Sequence, residues 1–230
     1  MNIVSDWNPL LGSLNAKIRQ VTSKDFDQIY QLQLFYPMDL GYSKEGLKDV
    51  LSDRQSTSLV TEIKKAGNII NYILTYPAWH YKKNQKHMKW DLNEECKELE
   101  DKEALYLEAV ETAPDYQRRG LYKVARQVLE ITAYKSKFKR IYLHSSPNAL
   151  NAHKKLGSQV VKVIPKYWKV GGEEPTDACL MVTQLTKKRA CDSLDDLLNI
   201  KKENYLTIDD SNKPKNEEIK EVCLQNAKDN

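Results

Sequence analysis

The chain has 230 residues, of which 40% are apolar, and this is enough to bury a substantial core. Lys and Arg total 36 against 32 acidic residues, so the net charge of +4 is spread through the sequence and forms no basic patch. The sequence has no apolar run of about 18 residues and no basic start followed by an apolar stretch. We therefore expect a cytoplasmic protein with no membrane partner, for which nucleic acid is not a predicted ligand.

The four cysteines, Cys96, Cys179, Cys191 and Cys223, lie far apart in the sequence. No close pair of Cys or His residues accompanies them, so their spacing predicts neither a zinc site nor a disulfide framework. Free thiols in a reducing compartment and no bound metal are expected.

The first half of the sequence predicts strands and short helices after an N-terminal extension, residues 1–15. Thr22, with Asp25 three residues later, is typical of the capped start of a helix. In chain order, the predicted elements are a strand at 17–21, a helix at 26–35, a short helix at 46–51, and strands at 58–63 and 69–76. Residues 64–68 join the last two strands and predict a hairpin turn.

The clearest periodicity of the chain lies in its second half. Leu121, Val124, Ala125 and Val128 recur at spacings of three and four, which predicts a helix over 121–134 with one face buried. The elements around it are predicted strands at 104–112, 140–144, 160–164 and 178–185, and a short helix ending at Gly157.

The composition changes after Lys187 and becomes strongly polar. We therefore predict a domain of residues 16–186 followed by a charged C-terminal tail, residues 187–230. Leu194 and Leu197 indicate one amphipathic helix at its start, and the polar stretch 209–230 is typical of disorder.

One segment, Gln117 to Tyr122 (QRRGLY), follows a strand and a proline-marked turn and opens the periodic helix. The first amides of a helix have no internal partners and lie at its positive end, which suits a pyrophosphate. Gly120 lets a ligand approach the backbone closely, and Arg118 and Arg119 can add charge. The alternative is an ordinary helix start with a solvated arginine pair.

In this context, the segment resembles the acetyl-CoA signature of the GCN5-related N-acetyltransferase (GNAT) family, Gln/Arg-x-x-Gly-x-Gly/Ala. The order of elements over 16–185 is similar to that family. Residues 146–157 (SPNALNAHKKLG) resemble its Asn-x-x-Ala-x-x-x-Tyr-x-Lys-x-Gly helix. The resemblance implies an α/β (α+β) fold with a central mixed, mostly antiparallel sheet flanked by helices, and a cleft for acetyl-CoA.

The resemblance also implies a set of cofactor-binding residues. The backbone of Val110 and Thr112 would pair with the pantetheine arm like an added strand. Ser146 and Asn148 at the start of the second motif belong to the same set. The pyrophosphate would bind to Gln117, Arg118, Arg119, Gly120, Leu121 and Tyr122, largely through their backbone amides.

Three residues depart from the family pattern: Tyr122 replaces the second small residue of the signature, Ser146 replaces Asn, and His153 replaces Tyr. In the family that tyrosine is the usual proton donor to the departing thiolate. A His with its ordinary pKa of about 6.5 is mostly neutral at pH 7, so a histidine acid requires a raised pKa. His153 is therefore either a catalytic acid or a packing residue of a helix.

The candidate general base is Glu108. The period of a strand places Tyr106, Glu108 and Val110 on one face and Glu111 on the other. Glu108 would take the proton of the acceptor amine, directly or through water. A bulge before the signature would exchange it with Glu111.

The resulting functional hypothesis is an N-acetyltransferase that moves acetyl from acetyl-CoA directly to an amine of a small molecule or protein. Two alternatives stay open: a non-catalytic acyl-CoA-binding module, and an enzyme for a macromolecular acceptor, either a protein lysine or a transfer RNA. The aperiodic stretch 79–103, with Trp79, Tyr81 and Trp90, is either part of the acceptor site or a solvated insertion. The sequence leaves a homodimer open.

Overall fold

The computed structural model describes residues 2–4, 8–35, 41–53, 55–85, 97–168 and 174–204. The helices of these ranges are α1 (Pro9–Ser13), α2 (Phe26–Leu32), α3 (Lys44–Ser52), α4 (Tyr81–Gln85), α5 (Leu121–Lys135), α6 (Leu150–Lys155) and α7 (Lys187–Asn204). The strands are β1 (Asn2–Val4), β2 (Ala16–Gln20), β3 (Leu59–Ile63), β4 (Ile69–Pro77), β5 (Ala104–Thr112), β6 (Arg140–Ser145), β7 (Gln159–Trp168) and β8 (Thr176–Gln184).

The strands form one sheet in the order β1-β2-β3-β4-β5-β6-β8-β7. Every neighbouring pair is antiparallel except β5 and β6, which run parallel. A parallel pair requires a crossover connection, and the long amphipathic helix α5 provides it. The predicted mixed, mostly antiparallel sheet flanked by helices is confirmed.

The core lies on both faces of this sheet. On one, the α2 face, side chains of α2 and α3 such as Ile29 and Leu47 pack with Tyr72 and Tyr76 of β4. On the other, the α5 face, Leu11 of α1, the apolar stripe of α5 and Leu197 of α7 pack together over the sheet. The predicted stripe of α5 is buried along its whole length.

A β-bulge interrupts the pairing of β5 with β4. Leu74 pairs with Ala109 and Thr75 with Leu107, so Glu108 is the extra residue on β5. The side chains of two consecutive residues, Glu108 and Ala109, therefore both lie on the α2 face.

The registered pairing of β5 with β6 ends at Leu107 and Leu143. Beyond that point β5 stays paired with β4 as far as Thr112, while β6 continues along β8 to Ser145. The two parallel strands therefore separate after Leu107 and leave a cleft between them. We call this opening the β5–β6 cleft.

Both ends of the predicted domain carry further structure. Within the predicted N-terminal extension, β1 pairs with β2 and Asn8 caps α1 by accepting a hydrogen bond from the Leu11 amide at 3.2 Å. Within the predicted tail, α7 packs against α5 and buries Leu197 and Leu198. The predicted boundary at 186 stays a prediction, and the predicted disorder of 209–230 lies outside the described residues.

Part of the aperiodic stretch 79–103 is helical. A 3₁₀ turn (Ala78–His80), α4 and a second 3₁₀ turn (Lys97–Glu100) fall in it, whereas Trp90 lies outside the described residues. None of the helices in the described part of the chain is long and apolar enough to cross a membrane.

The burial of Leu197 predicts that α7 contributes to stability. Leu197→Ala should lower the free energy of unfolding by about 2–5 kcal/mol, because the side chain is 0% exposed and leaves a cavity. Leu34→Ala is the matched control, since Leu34 is 56% exposed and its loss should cost under about 0.5 kcal/mol. Urea unfolding measures both, and equal small losses would mean that α7 is not docked in solution.

Candidate active site

The signature segment follows β5 directly and places the start of α5 beside the β5–β6 cleft. A 3₁₀ turn (Pro114–Tyr116) reverses the chain, and Gly120 then precedes the helix with φ of 86°. This left-handed conformation favours glycine. No side chain caps the helix at Gly120, so its first amides remain available to a ligand.

The side chains of the signature segment have distinct surroundings. Leu121 is buried in the core on the α5 face, so only its backbone can serve a ligand. Arg118 and Arg119 are exposed, and the Arg119 guanidinium lies 5.5 Å from the centre of the Tyr116 ring. The Gln117 side chain donates to the Thr112 carbonyl at 3.0 Å and so fixes the turn to the end of β5.

The predicted pantetheine contacts lie at the edge of the cleft. Val110 packs toward the α5 face, opposite to Glu108, and the predicted common face of these two residues is wrong because of the bulge. The Thr112 amide donates to the Glu111 carboxylate at 3.0 Å, and its carbonyl accepts from Gln117. A pantetheine arm that pairs with the Thr112 backbone would therefore have to displace the Glu111 and Gln117 side chains from its amide and carbonyl.

The residues present fit acetyl-CoA. A Cβ built on Gly120 would meet only the Leu10 Cδ2 atom at 3.9 Å and would otherwise project into open space, where the pyrophosphate would lie. The two arginines of the segment supply positive charge at its edge. Ser146 and Asn148 lie in the turn after β6, on the other side of the cleft, with Ser146 half-buried and Asn148 exposed.

Glu108 lies at the point where the two strands separate. The Tyr76 hydroxyl donates to its carboxylate at 2.6 Å, and Tyr42 lies close enough to act on it electrostatically. Desolvation raises the pKa of Glu108 to about 7, although the two phenols oppose that rise. A carboxylate with a pKa near neutrality suits a general base.

A group of aromatic residues surrounds Glu108 on the α2 face, and we call it the tyrosine cluster. Its members are Tyr42, Tyr76, Tyr81, Tyr106, Tyr167 and His144. Burial raises the pKa of Tyr42, Tyr76, Tyr106 and Tyr167 well above its ordinary value. These four phenols are therefore protonated at neutral pH and can donate hydrogen bonds.

His144 links three members of the tyrosine cluster. Its Nδ1 lies 2.6 Å from the Tyr106 hydroxyl and 3.1 Å from the Tyr167 hydroxyl, which in turn lies 2.9 Å from the Tyr81 hydroxyl. Burial, with a smaller contribution from Lys162, lowers the pKa of His144 to about 3. The imidazole is neutral, so its Nδ1 can accept from Tyr106. The sequence interpretation missed His144, although its place at the end of a buried strand was a signal.

Glu111, the alternative base, lies three residues after Glu108 and pairs in regular register with Tyr72 of β4. Ala109 and Ala113 pack on the α2 face, so alternation places Glu111 on that face too, and the predicted opposite face is wrong. Its carboxylate binds the Thr112 amide and lies 3.5 Å from the Gln117 side chain. Glu111 thus braces the signature turn, whereas Glu108 faces the tyrosine cluster.

His153 is buried on α6 and lies against the signature helix. Its Nδ1 is 3.0 Å from the Tyr122 hydroxyl, and the two rings meet edge to face. Desolvation and the charge of Arg126 lower the pKa of His153 to about 4. The raised pKa that a histidine acid requires is therefore absent, and His153 is neutral at pH 7. Tyr122 keeps its proton, because burial raises its pKa.

No group of three or more His, Cys, Asp or Glu side chains in the described ranges could hold a metal ion. Cys179 and Cys191 are free thiols, while Cys96 and Cys223 lie outside those ranges.

A model of the acetyltransferase (GNAT) family matches residues 18–157. The chain belongs to the GNAT family. Acetyl transfer from acetyl-CoA is the general reaction of this family, and the predicted relationship is confirmed. A search of curated proteins found no match to the sequence.

Solved GNAT structures share the fold. The ribosomal-protein-S18-alanine N-acetyltransferase of Escherichia coli superimposes with a TM-score of 0.57 at 14% identity, covering 74% of this chain and 94% of its own. Arabidopsis thaliana NAA60 in complex with acetyl-CoA gives 0.56 at 14% identity, covering 74% and 98%. Ard1 of Thermoplasma volcanium gives 0.56 at 12% identity, covering 75% and 99%. At these identities the likeness shows the fold alone.

The raised pKa of Glu108 predicts a pH-dependent stability. Between pH 4.5 and about 7 the folded chain keeps a proton that the unfolded chain releases, so wild-type stability falls as pH rises through this range. Glu108→Gln removes this dependence, so its free energy of unfolding relative to that of wild type should rise by about 3 kcal/mol from pH 4 to pH 8. Urea unfolding at both values measures it.

Glu100→Gln is the control, because Glu100 is 63% exposed and pairs with Lys82 at the surface. Its effect should stay within about 0.5 kcal/mol at both pH values. An equally flat difference for Glu108→Gln would mean that the Glu108 carboxyl is solvated.

Proposed function

We propose that the chain is an acetyl-CoA-dependent N-acetyltransferase whose acceptor, an amine of a small molecule or protein, attacks the acetyl group directly. The observation that carries the proposal is the position of Glu108. It is the bulge residue immediately after the last β5–β6 pair, and its pKa of about 7 suits a base at neutral pH. Acetyl-CoA would supply the acetyl thioester, held by the signature segment and the cleft.

Glu108 takes the proton that the amine must lose to become a nucleophile. Tyr76 holds the carboxylate in place by its hydrogen bond. The neutral tyrosine cluster keeps water away from the base and presents ring faces to a cationic amine. The C–N bond then forms as the C–S bond breaks, and the electron pair leaves on sulfur.

On the α5 face, Tyr122 is the proton donor that we assign to the departing thiolate. Its phenol is protonated, and a neutral His153 with its proton on Nδ1 donates to the phenol oxygen. That hydrogen bond leaves the phenol hydrogen free for sulfur. His153 thus orients Tyr122 instead of acting as the acid. In this proposal the acetyl group passes directly from acetyl-CoA to the amine, without a covalent intermediate on the enzyme.

A substitution at Gly120 tests the proposed cofactor site. Gly120→Ala should weaken acetyl-CoA binding by about tenfold or more, because a methyl group at the helix start keeps the pyrophosphate from the amides. Gly67→Ala is the matched control: Gly67 also has positive φ, 70°, lies in the β3–β4 turn and has open space around it. Each should lose about 1–2 kcal/mol of stability. Calorimetric titration measures the acetyl-CoA affinity of both variants, and equal affinities would contradict a pyrophosphate site at Gly120.

A substitution at Glu108 tests its proposed role as the general base. Glu108→Gln should lower kcat by about 10²–10⁴-fold and leave acetyl-CoA affinity unchanged, because only the base is lost. In wild type, kcat/KM should rise with pH and level off above about 7 as the carboxyl group ionises. Thiol release across a panel of small amines and peptides with free N-termini measures both.

Glu111→Gln serves as the matched variant, since Glu111 is a half-buried carboxylate on the same strand. A large loss of kcat with unchanged acetyl-CoA affinity in this variant alone would identify Glu111 as the base. Acetyl-CoA binding by wild type without turnover of any amine would favour the non-catalytic module.

A further inference from the structure

The C-terminal helix α7 begins beyond the family match, yet it contacts the helices that carry the site. Arg189 makes the most extensive contact. Its Nε and Nη2 each donate to the Glu130 carboxylate of α5 at 2.9 Å. Its Nη2 also donates to the Leu156 carbonyl at the end of α6. One guanidinium therefore ties three helices together.

Gly157 shows how closely Arg189 lies on α6. A Cβ built on Gly157 would overlap Nη1 of Arg189 and lie 3.0 Å from its Nη2. Gly157 also has φ of 78°, so both the backbone and the space above it require glycine. The guanidinium thus covers the C-terminal end of the helix that carries His153.

Glu130 connects this contact to the rest of α5. It is 2% exposed and accepts hydrogen bonds from Arg189, from Arg126 at 3.2 Å and from Ser193 at 3.0 Å. Arg126 is 1% exposed and donates to Thr183 of β8 at 2.8 Å. Such a buried network is stable only while each charge keeps its partners.

The same network reaches the Tyr122–His153 pair. Arg126 lies one turn after Tyr122 on α5 and acts electrostatically on both Tyr122 and His153. The helix α6 has only six residues, Leu150–Lys155, so its position depends on tertiary contacts and not on its own stability. At its C-terminal end the Leu156 carbonyl and Gly157 lie under Arg189, and the Ser158 amide donates to the His153 carbonyl at 3.0 Å.

We propose that Arg189 is a positioning residue for acetyl transfer: by holding Glu130 and the end of α6, it fixes His153 against the Tyr122 hydroxyl. This rests on the proposed function, in which Tyr122 protonates the departing thiolate. Without Arg189, the end of α6 is released, and His153 no longer holds the phenol in one orientation.

The test compares Arg189→Met with Lys188→Met. Lys188 is exposed on the same helix, so its variant makes the same charge change without the contact. Arg189→Met should lower kcat by about tenfold or more, because the proton donor is misplaced. Acetyl-CoA affinity and the KM for the acceptor should stay within about twofold, and Arg189→Lys should restore part of kcat.

A double-mutant cycle separates positioning from stability. In a Tyr122→Phe background, Arg189→Met should no longer lower kcat, while its lowering of the melting temperature should persist. All assays are run at a temperature at which every variant is folded. An equal loss of kcat in both backgrounds, or a kcat like that of Lys188→Met, would overturn the proposal.

A second readout needs no turnover and therefore keeps this inference separate from the proposed function. The imidazole NMR signals of His153, assigned with His153→Gln, report its contact with Tyr122. Arg189→Met should shift these signals and Lys188→Met should leave them in place. Unchanged signals in Arg189→Met would overturn the proposal even if wild type proves to be an active acetyltransferase.

Discussion

The separation of β5 from β6 after Leu107 is the constraint on which the site depends. β5 is paired with β4 from Leu105 to Thr112 except at the bulge, whereas β6 follows β8, so the two parallel strands diverge. The bulge at Glu108 falls at the same point and places an extra carboxylate there. The strand separation and the bulge together form the β5–β6 cleft and place the candidate base where it begins, and β5 then continues toward the helix start at Gly120.

The candidate base and the candidate acid lie on opposite faces of the sheet. Glu108 and the tyrosine cluster lie on the α2 face, while Tyr122 and His153 lie on the α5 face. Burial acts in opposite directions on acids and on imidazoles, because it disfavours whichever form is charged. It raises the pKa of Glu108 to about 7 and lowers the pKa of His144 and of His153, so both imidazoles are neutral at pH 7. Both histidines therefore serve as hydrogen-bonding groups for phenols.

The signature helix could be predicted from its 3.6-residue period. The family relationship and the mixed sheet followed from the resemblance of two local motifs and of the element order to the GNAT pattern. Which β5 side chains point to which face of the sheet could not be predicted in full. A bulge adds one residue at Glu108, and no pattern in the sequence marks its position. The protonation state of His153 also depends on tertiary structure, since burial against other elements and the charge of Arg126 lower its pKa. The tyrosine cluster gathers its members from five separate elements and the linker before α3, so its composition had no local signal.

The composition becomes strongly polar after Lys187, but the helix α7 that begins there packs against α5. A fragment cut at that point would lose Leu197 from the core and leave Glu130 buried with Arg126 as its remaining cationic partner. Polar composition in this chain reflects the outer face of a docked helix, whose inner face supplies Arg189 and Leu197. Anyone dividing the protein for expression or fusion should therefore keep the chain through at least 204, where the described helix ends.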